Sequence, residues 1–220
     1  DRDVATIAAV APPSPSLRVC VYCASSQAVD PAYRQVAAQF GRALAAQGWG
    51  LVYGGGNVGL MGEVARAALA AGAAVTGVIP DRLAVREIAL HHAGVELIRT
   101  DTVRERKAIM DERSDAFVVL PGGIGTLEEL VEILTLKQLG YHDRAIVVLD
   151  SKGYWDPLLA QLERMIDERL AYPELRDLLV VTHDVAQTVE ALRTYTPPAH
   201  RRPLGVELEG VEPPRHQQEA

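Results

Sequence analysis

The chain has 220 residues, of which 48% are hydrophobic and 23% charged, and its formal net charge is −7. This length and balance are ordinary for one globular domain with a buried core. The acidic charge, without a basic stripe among aromatic residues, argues against a nucleic-acid-binding surface. No apolar run reaches the length of a membrane span, and a cytoplasmic protein is expected.

The two ends of the chain differ in composition from its middle. Residues 1–16 are rich in alanine and proline and lack the basic and then apolar order of a secretory signal. From residue 197 onward, Pro, Arg, Glu and Gln follow one another without periodicity. We therefore predict flexible tails at 1–16 and 197–220 around a single domain at 17–196.

Between the tails, short apolar runs alternate with amphipathic segments of helical period. The apolar runs are nearly continuous, as in parallel strands that are covered on both faces. The predicted strands are 17–24, 50–53, 74–79, 95–99, 116–120, 145–149 and 178–181. The predicted helices are 31–47, 60–71, 102–114, 126–139, 155–169 and 184–193. This alternation predicts an α/β fold: a doubly wound, Rossmann-like parallel sheet with helices on both faces.

The first predicted strand carries the only two cysteines of the chain, Cys20 and Cys23. Two cysteines are too few for a disulfide framework, and no Cys/His group with zinc-ligand spacing accompanies them. A redox pair is typical of a helix start, whereas these residues lie in an apolar strand, which favours buried small side chains. The six histidines are scattered, so we predict no metal site.

The second predicted strand ends in a glycine-rich loop, G-G-G-N-V-G at 54–59. Ligands bind at the carboxyl ends of parallel strands, so such loops are candidate sites. The loop fits the dinucleotide pattern G-x-G-x-x-G, with Asp81 near the expected spacing, but that pattern belongs on the first strand of a fold. Two interpretations stay open: an NAD-binding loop, and glycines that let the next helix begin close to the sheet.

A second glycine-rich loop follows the fifth predicted strand, in P-G-G-I-G-T-L-E-E at 121–129. Glycines let backbone N–H groups approach a ligand closely, and the positive end of the following helix points to the same place. Such a loop binds a phosphate without lysine. Alternatively, Thr126 and Glu129 have the spacing of a capping box. A cap does not require three glycines before it, which favours a ligand.

A charged helix, predicted at 102–114, precedes the strand that leads into this second loop. Lys107 and Asp111 have the i,i+4 spacing of a surface ion pair. Alternatively, Arg106 reaches an anion held by the glycine loop, because a planar guanidinium suits bidentate contact with phosphate or carboxylate. The spacing alone allows both interpretations.

The pair Arg106-Lys107, followed by P-G-G-x-G-T-x-x-E at 121–129, resembles the signature of the Lonely Guy family, the cytokinin riboside 5′-monophosphate phosphoribohydrolases. The resemblance covers roughly residues 17–192. It implies a hydrolase, without a cofactor, that splits adenine-type (cytokinin) nucleoside 5′-monophosphates into free base and ribose 5-phosphate. Proteins of this kind are often labelled lysine decarboxylases. The three lysines, Lys107, Lys137 and Lys152, stand in no recognisable pyridoxal phosphate setting.

The resemblance assigns roles position by position. Glu129 matches the catalytic glutamate of the family and Arg106 its catalytic arginine. The positions that match the phosphate-binding loop are Gly122, Gly123, Gly125 and Thr126. The positions that match other substrate contacts are Glu87, Lys107, Glu128 and Thr135. The residues expected to face the same crevice are Ser25, Ser26, Gly54, Gly55 and Gly56.

The resemblance also implies a homodimer in which the helices after the glycine loops pack against their symmetry mates and a partner chain helps to line the site. The substrate stays open between AMP and isopentenyladenosine monophosphate. Two other functional classes stay open as well. Molybdenum cofactor carrier proteins are similar in fold and bind through a comparable phosphate crevice without catalysis. An NAD-dependent oxidoreductase would use the first glycine-rich loop.

Overall fold

The computed structural model describes residues 15–84 and 94–198. The strands of this part of the chain are β1 (Arg18–Tyr22), β2 (Gly50–Tyr53), β3 (Val75–Pro80), β4 (Val95–Thr100), β5 (Ala116–Val119), β6 (Ala145–Leu149) and β7 (Val180–Thr182). The helices are α1 (Pro31–Ala46), α2 (Gly59–Ala70), α3 (Asp81–Ala84), α4 (Val103–Glu112), α5 (Ile124–Gln138), α6 (Asp156–Asp167) and α7 (Val185–Thr194). All seven predicted strands and six predicted helices are confirmed, with shifts of at most a few residues at their ends. The single turn α3 was not predicted.

The seven strands form one parallel sheet in the order β4-β3-β2-β1-β5-β6-β7. The described part of the chain enters the sheet at its centre with β1 and runs outward twice, first from β1 to β4 and then from β5 to β7. This order confirms the doubly wound, Rossmann-like α/β fold. Because β1 pairs with both β2 and β5, the strand order reverses between β1 and β5. A reversal of this kind leaves a crevice beyond the carboxyl ends of the two strands.

Each face of the sheet is covered by three of the long helices. Buried side chains of α1, α2 and α7 form one hydrophobic core, together with Val19 and Val21 of β1. Buried side chains of α4, α5 and α6 form the other core, together with Cys20 and Tyr22. Successive residues of a strand point to opposite faces, so β1 supplies both cores in alternation. Burial on both faces explains the continuous apolar runs in the sequence.

The two cysteines are unpaired and buried, as the sequence predicts. Cys20 belongs to the core under α4, α5 and α6, whereas Cys23 belongs to the core on the opposite face of the sheet. Burial raises the pKa of the Cys20 thiol to about 12. Two protonated thiols on opposite faces of a sheet cannot act as a redox pair.

None of the helices in the described ranges combines the length and the apolar character needed to cross a membrane. Nearly all of the predicted tails, 1–16 and 197–220, lies outside the described residues, as does the predicted substrate contact Glu87.

Candidate active site

Three loops meet at the carboxyl edge of the sheet where the strand order reverses. The N–H of Ala24, after β1, donates to the carbonyl oxygen of Pro121, after β5, at 3.1 Å. The carbonyl oxygen of Ala24 accepts from the N–H of Leu60, in the first turn of α2, at 2.9 Å. Backbone hydrogen bonds therefore join the loops after β1, β2 and β5 into one surface.

The glycine-rich loop after β5 opens outward at two of its glycines. An added Cβ at Gly123 or Gly125 would meet no heavy atom of the described residues within 4 Å. Gly123 has a φ of −87°, and Gly125 lies within α5, so neither needs the left-handed conformation that favours glycine. Packing and backbone conformation therefore do not explain glycine at these positions. The absence of side chains leaves the first amides of α5 accessible to a ligand.

Helix α5 begins without a capping side chain among the described residues. Its N-cap is Gly123, and Thr126 lies inside the first turn, where it is 4% exposed. The interpretation of Thr126 and Glu129 as a capping box is therefore wrong. The side chain of Thr126 packs on Gly122, where an added Cβ would lie 2.1 Å from Thr126 Oγ1. The N-terminal amides of α5 thus remain for an external acceptor, and the helix dipole favours an anion there.

Arg106 lies in the first half of α4 and reaches back over the ends of β2 and β3. Its Nε donates to the carbonyl oxygen of Val78 and its Nη2 to that of Gly54, both at 3.1 Å. An added Cβ on Gly54 would lie 1.7 Å from Arg106 Nη2, so glycine is required for the guanidinium to lie on this backbone. Both bonds go to neutral carbonyl groups. The positive charge is therefore left to act on neighbouring anions.

Glu129 faces the end of β1. Its charge raises the pKa values of Cys20, Tyr22 and Cys23, although burial is the main cause of those shifts. Burial also raises the pKa of Glu129 itself to about 7, against the attraction of Arg106. A carboxyl group with a pKa near 7 exchanges its proton at neutral pH. Glu129 can therefore act as a general base or as a carboxylate that stabilises positive charge.

Lys107 links α4 to α5. Its Nζ lies 2.8 Å from Glu132 Oε2 and also contacts the carboxylate of Glu128. The interpretation of Lys107 and Asp111 as an ion pair is wrong, because Asp111 pairs with Arg144 instead. The Lys107 side chain is only 12% exposed. Its positive charge balances the carboxylates of Glu128 and Glu132, which lie beside Glu129.

Internal packing explains Gly55 and Gly59 in the loop after β2. An added Cβ on Gly55 would lie 2.8 Å from Ile79 Cβ, and one on Gly59 would lie 2.6 Å from the carbonyl carbon of Ser25. Gly55 and Gly59 also have positive φ values, +74° and +60°, which favour glycine. Gly56 is buried beside them. The interpretation that these glycines bring α2 close to the sheet is confirmed.

Comparisons with known proteins identify the family of this chain. A family model described as possible lysine decarboxylase matches residues 61–192, which is more than half of the chain. A cytokinin riboside 5′-monophosphate phosphoribohydrolase of Mycobacterium tuberculosis is 48% identical over 179 residues, which cover 81% of this chain and 93% of that protein. The chain belongs to the Lonely Guy family.

Plant members of the Lonely Guy family are also similar. A probable cytokinin riboside 5′-monophosphate phosphoribohydrolase of Oryza sativa subsp. japonica is 42% identical over 180 residues, 82% of this chain and 73% of that protein. One of Arabidopsis thaliana is 40% identical over 185 residues, 84% of this chain and 85% of that protein. Among solved structures, a molybdenum cofactor carrier protein from Chlamydomonas reinhardtii has a TM-score of 0.60 at 23% identity, covering 80% of this chain and 95% of that chain. At this identity the likeness concerns the fold alone.

Three further positions that the Lonely Guy resemblance marks lie in the loop after β1 and on α5. Ser25 is half-buried and Ser26 exposed in the loop after β1, where Ser26 Oγ accepts from the N–H of Ala28 at 3.2 Å. Thr135 lies six residues beyond Glu129, roughly 9 Å further along α5. It is exposed, and its hydroxyl donates to the carbonyl oxygen of Val131 at 2.7 Å.

Sequence reasoning missed one residue of this surface. Tyr154 lies in the turn after β6, and its hydroxyl donates to the carbonyl oxygen of Gly122. The two residues are 32 positions apart, and a tyrosine after a strand has no distinguishing spacing. The contact depends on β5 and β6 being neighbours in the sheet.

Proposed function

We propose that this protein hydrolyses the N-glycosidic bond of adenine-type (cytokinin) nucleoside 5′-monophosphates and releases free base and ribose 5-phosphate. One observation carries the proposal: Glu129, a half-buried carboxyl group whose pKa is raised to about 7, lies on the same helix as an open glycine-rich N-terminus. A phosphoribohydrolase needs an anion site for the phosphate and a carboxylate at the ribosyl bond. The names of the relatives support the same reaction.

The 5′-phosphate is assigned to the first amides of α5, over Gly123 and Gly125. Both glycines leave that surface open, and the helix dipole attracts the anion. The phosphate takes no part in the bond that breaks. Its binding energy holds the ribose in place so that the reacting atoms stay aligned.

The bond that breaks joins C1′ of the ribose to the base nitrogen. Water attacks C1′, the bonding electron pair leaves with the base, and positive charge builds on C1′ and the ring oxygen. Ionised Glu129 stabilises this charge and accepts a proton from the attacking water. Arg106 attracts Glu129 and so favours its ionised form. The departing base takes up a proton from solvent water, because the permanently charged Arg106 does not supply one.

We also propose a homodimer. Four large apolar side chains are exposed on α4, on α5 and at the residue that ends α5: Val103 (49%), Ile124 (82%), Val131 (46%) and Leu139 (52%). A symmetry mate packed on α5 would remove this surface from water. Light scattering should give twice the chain mass, and a monomer or a hexamer would contradict the proposal.

A cytoplasmic location is part of the proposal.

The experiment that tests the activity is chromatographic. The protein is incubated with AMP and, separately, with isopentenyladenosine monophosphate, and the free base is measured beside a Glu129→Gln variant. The wild type should release base, and the variant should be about 10²- to 10⁴-fold slower, the usual range for loss of a general base. A matched control, Glu112→Gln, changes an exposed carboxylate of α4 and should keep full activity.

Each other outcome has a definite meaning. No base from either substrate would reject the hydrolase and favour a non-catalytic carrier of a phosphate ligand. Equal release by the wild type and Glu129→Gln would remove Glu129 from the mechanism. NADH fluorescence should stay unchanged on mixing with the protein, and a change would favour an oxidoreductase.

A further inference from the structure

We infer that Tyr154 is a positioning residue for the phosphate site, and that it acts by fixing the peptide between Gly122 and Gly123. The inference rests on the proposed function of the glycine loop. Tyr154 lies outside the Lonely Guy signature, in the turn between β6 and α6. Its hydroxyl donates to the carbonyl oxygen of Gly122, the residue before the N-cap of α5.

The peptide bond between Gly122 and Gly123 lies where the loop after β5 ends and α5 begins. In a trans peptide, the C=O and the following N–H point in opposite directions. The hydroxyl of Tyr154 binds the carbonyl oxygen of Gly122, so the N–H of Gly123 points away from Tyr154. Glycine residues lack the Cβ that limits rotation of the peptide between them. A rotated peptide would present a carbonyl oxygen to the phosphate in place of an N–H donor.

The ring of Tyr154 is itself held by aromatic neighbours. Tyr33 of α1 meets it edge-on, with 5.9 Å between the ring centroids. Trp155 meets it edge-on from another direction, at 4.9 Å. Trp155 is 4% exposed, and its backbone N–H donates to the buried Asp150 carboxylate at 2.7 Å. Tyr154 is 41% exposed, and these two ring contacts support the orientation in which its hydroxyl reaches the loop.

The turn that carries Tyr154 has an unfavourable backbone conformation. Lys152 has a φ of +62° and Gly153 a φ of +68°, and the left-handed region is uncommon for lysine. Lys152 Nζ lies 2.8 Å from Asp30 Oδ2, and Asp30 caps the start of α1. The turn after β6 is thus connected to α1 by this ion pair and to the loop after β5 by Tyr154. A strained turn that joins the two sides of the crevice supports a positioning role.

The variant that tests the inference is Tyr154→Phe, which removes the hydroxyl and keeps the ring between Tyr33 and Trp155. Loss of one hydrogen bond should raise the KM for AMP about fivefold to tenfold and leave kcat within about threefold. The affinity for ribose 5-phosphate, measured by calorimetry, should fall by the same factor. Cleavage of adenosine, which has no phosphate, should not change. The control is Tyr172→Phe, at a tyrosine that is 54% exposed, and it should alter none of these values.

The outcomes separate this inference from the proposed function. If the wild type cleaves AMP and Tyr154→Phe matches it in KM and in ribose 5-phosphate affinity, the inference is overturned and the hydrolase stands. If the wild type cleaves nothing but binds ribose 5-phosphate, and Tyr154→Phe binds it less tightly, the positioning role stands and the hydrolase is rejected. Equal losses with AMP and adenosine would show a general structural role and overturn the inference.

Discussion

The two glycine-rich loops of this protein are alike in sequence and differ in what their glycines do. In the loop after β2, an added Cβ on Gly59 would lie 2.6 Å from the carbonyl carbon of Ser25. In the loop after β5, an added Cβ on Gly123 or Gly125 would meet no described atom within 4 Å. The first loop uses glycine for close packing inside the protein. A run of glycines therefore indicates a ligand site only where the packing of the protein does not explain it.

The largest effect is expected on stability, when a glycine of the packed loop after β2 is replaced. This variant tests whether the loop needs glycine for packing. Gly59→Ala places a Cβ against backbone atoms at a φ of +60°, so backbone strain adds to the clash. We expect the free energy of unfolding to fall by about 2–4 kcal/mol. Urea denaturation of the variant beside the wild type measures it. A loss below about 0.5 kcal/mol would mean that the loop adapts and that its glycines are not needed for packing.

The next prediction concerns α5, the helix that follows the open loop. It sharpens the comparison by asking how much stability the protein loses by holding ionised Glu129 on this helix. Burial raises the pKa of Glu129 from 4.5 to about 7, so between these values the native state binds more protons than the unfolded state. Stability is therefore lost as pH rises through this range, by at most about 3 kcal/mol. Glu129→Gln should be more stable than the wild type at pH 8 by up to about that amount, and equal to it near pH 4.

Denaturation at both pH values checks this result. The control variant Glu112→Gln should follow the wild type at each pH. A Glu129→Gln protein that is less stable than the wild type at pH 8 would show that the carboxylate supports the fold.

A smaller effect is expected at the open loop itself. Gly125→Ala adds a methyl group that meets no described atom, at a helical position where alanine is favoured over glycine. Stability should be unchanged or rise by about 1 kcal/mol. The methyl group would stand where the phosphate is proposed to bind, so the KM for AMP should rise about tenfold, a free-energy change of about 1.4 kcal/mol. Thermal unfolding and steady-state kinetics on one preparation measure both quantities. A destabilised variant with an unchanged KM would reverse the roles of the two loops.

The smallest expected effect concerns the charge beside the open loop. Lys107 lowers the pKa of Glu129, whereas Glu128 and Glu132 raise it. In Lys107→Met the cation is removed, so the pKa of Glu129 should rise. The ionised form is the proposed active form, so the pH of half-maximal kcat/KM for AMP should move upward by less than about one unit, or 1.4 kcal/mol. A profile between pH 5 and 9 tests this, and a downward shift would contradict the assignment of Glu129.

Most of the fold could be predicted from the sequence because strands that are buried on both faces leave a clear pattern. The bounds 50–53 and 145–149 agree with β2 and β6 to the residue. The sequence predicts that α5 begins at Thr126, whereas the helix begins at Ile124, two residues earlier. The spacing of Thr126 and Glu129 fits a capping box, but Gly123 is also an acceptable N-cap. The sequence spacing is compatible with both N-caps and does not show which one the helix uses.

The site was harder to predict, because its decisive contacts join distant parts of the chain. Lys107 has a possible partner four residues away, yet its partners Glu128 and Glu132 lie on another helix. The two glycine-rich loops cannot be told apart without the neighbouring elements that a Cβ would meet. The resemblance to a known signature selected the second loop. The three-dimensional packing supplies the physical reason for that choice.

The position of β1 has a consequence for how the protein is made. β1, the first strand of the described residues, lies at the centre of the sheet, and the N–H of Arg18 donates to the carboxylate of Asp115, 97 residues later. During synthesis, one edge of β1 therefore has no partner until β5 has left the ribosome. An apolar strand with an open edge is prone to aggregation, and contacts of such long separation slow folding. Shortened chains that end before Ala116 lack β5, so they should aggregate or bind chaperones and should not bind phosphate.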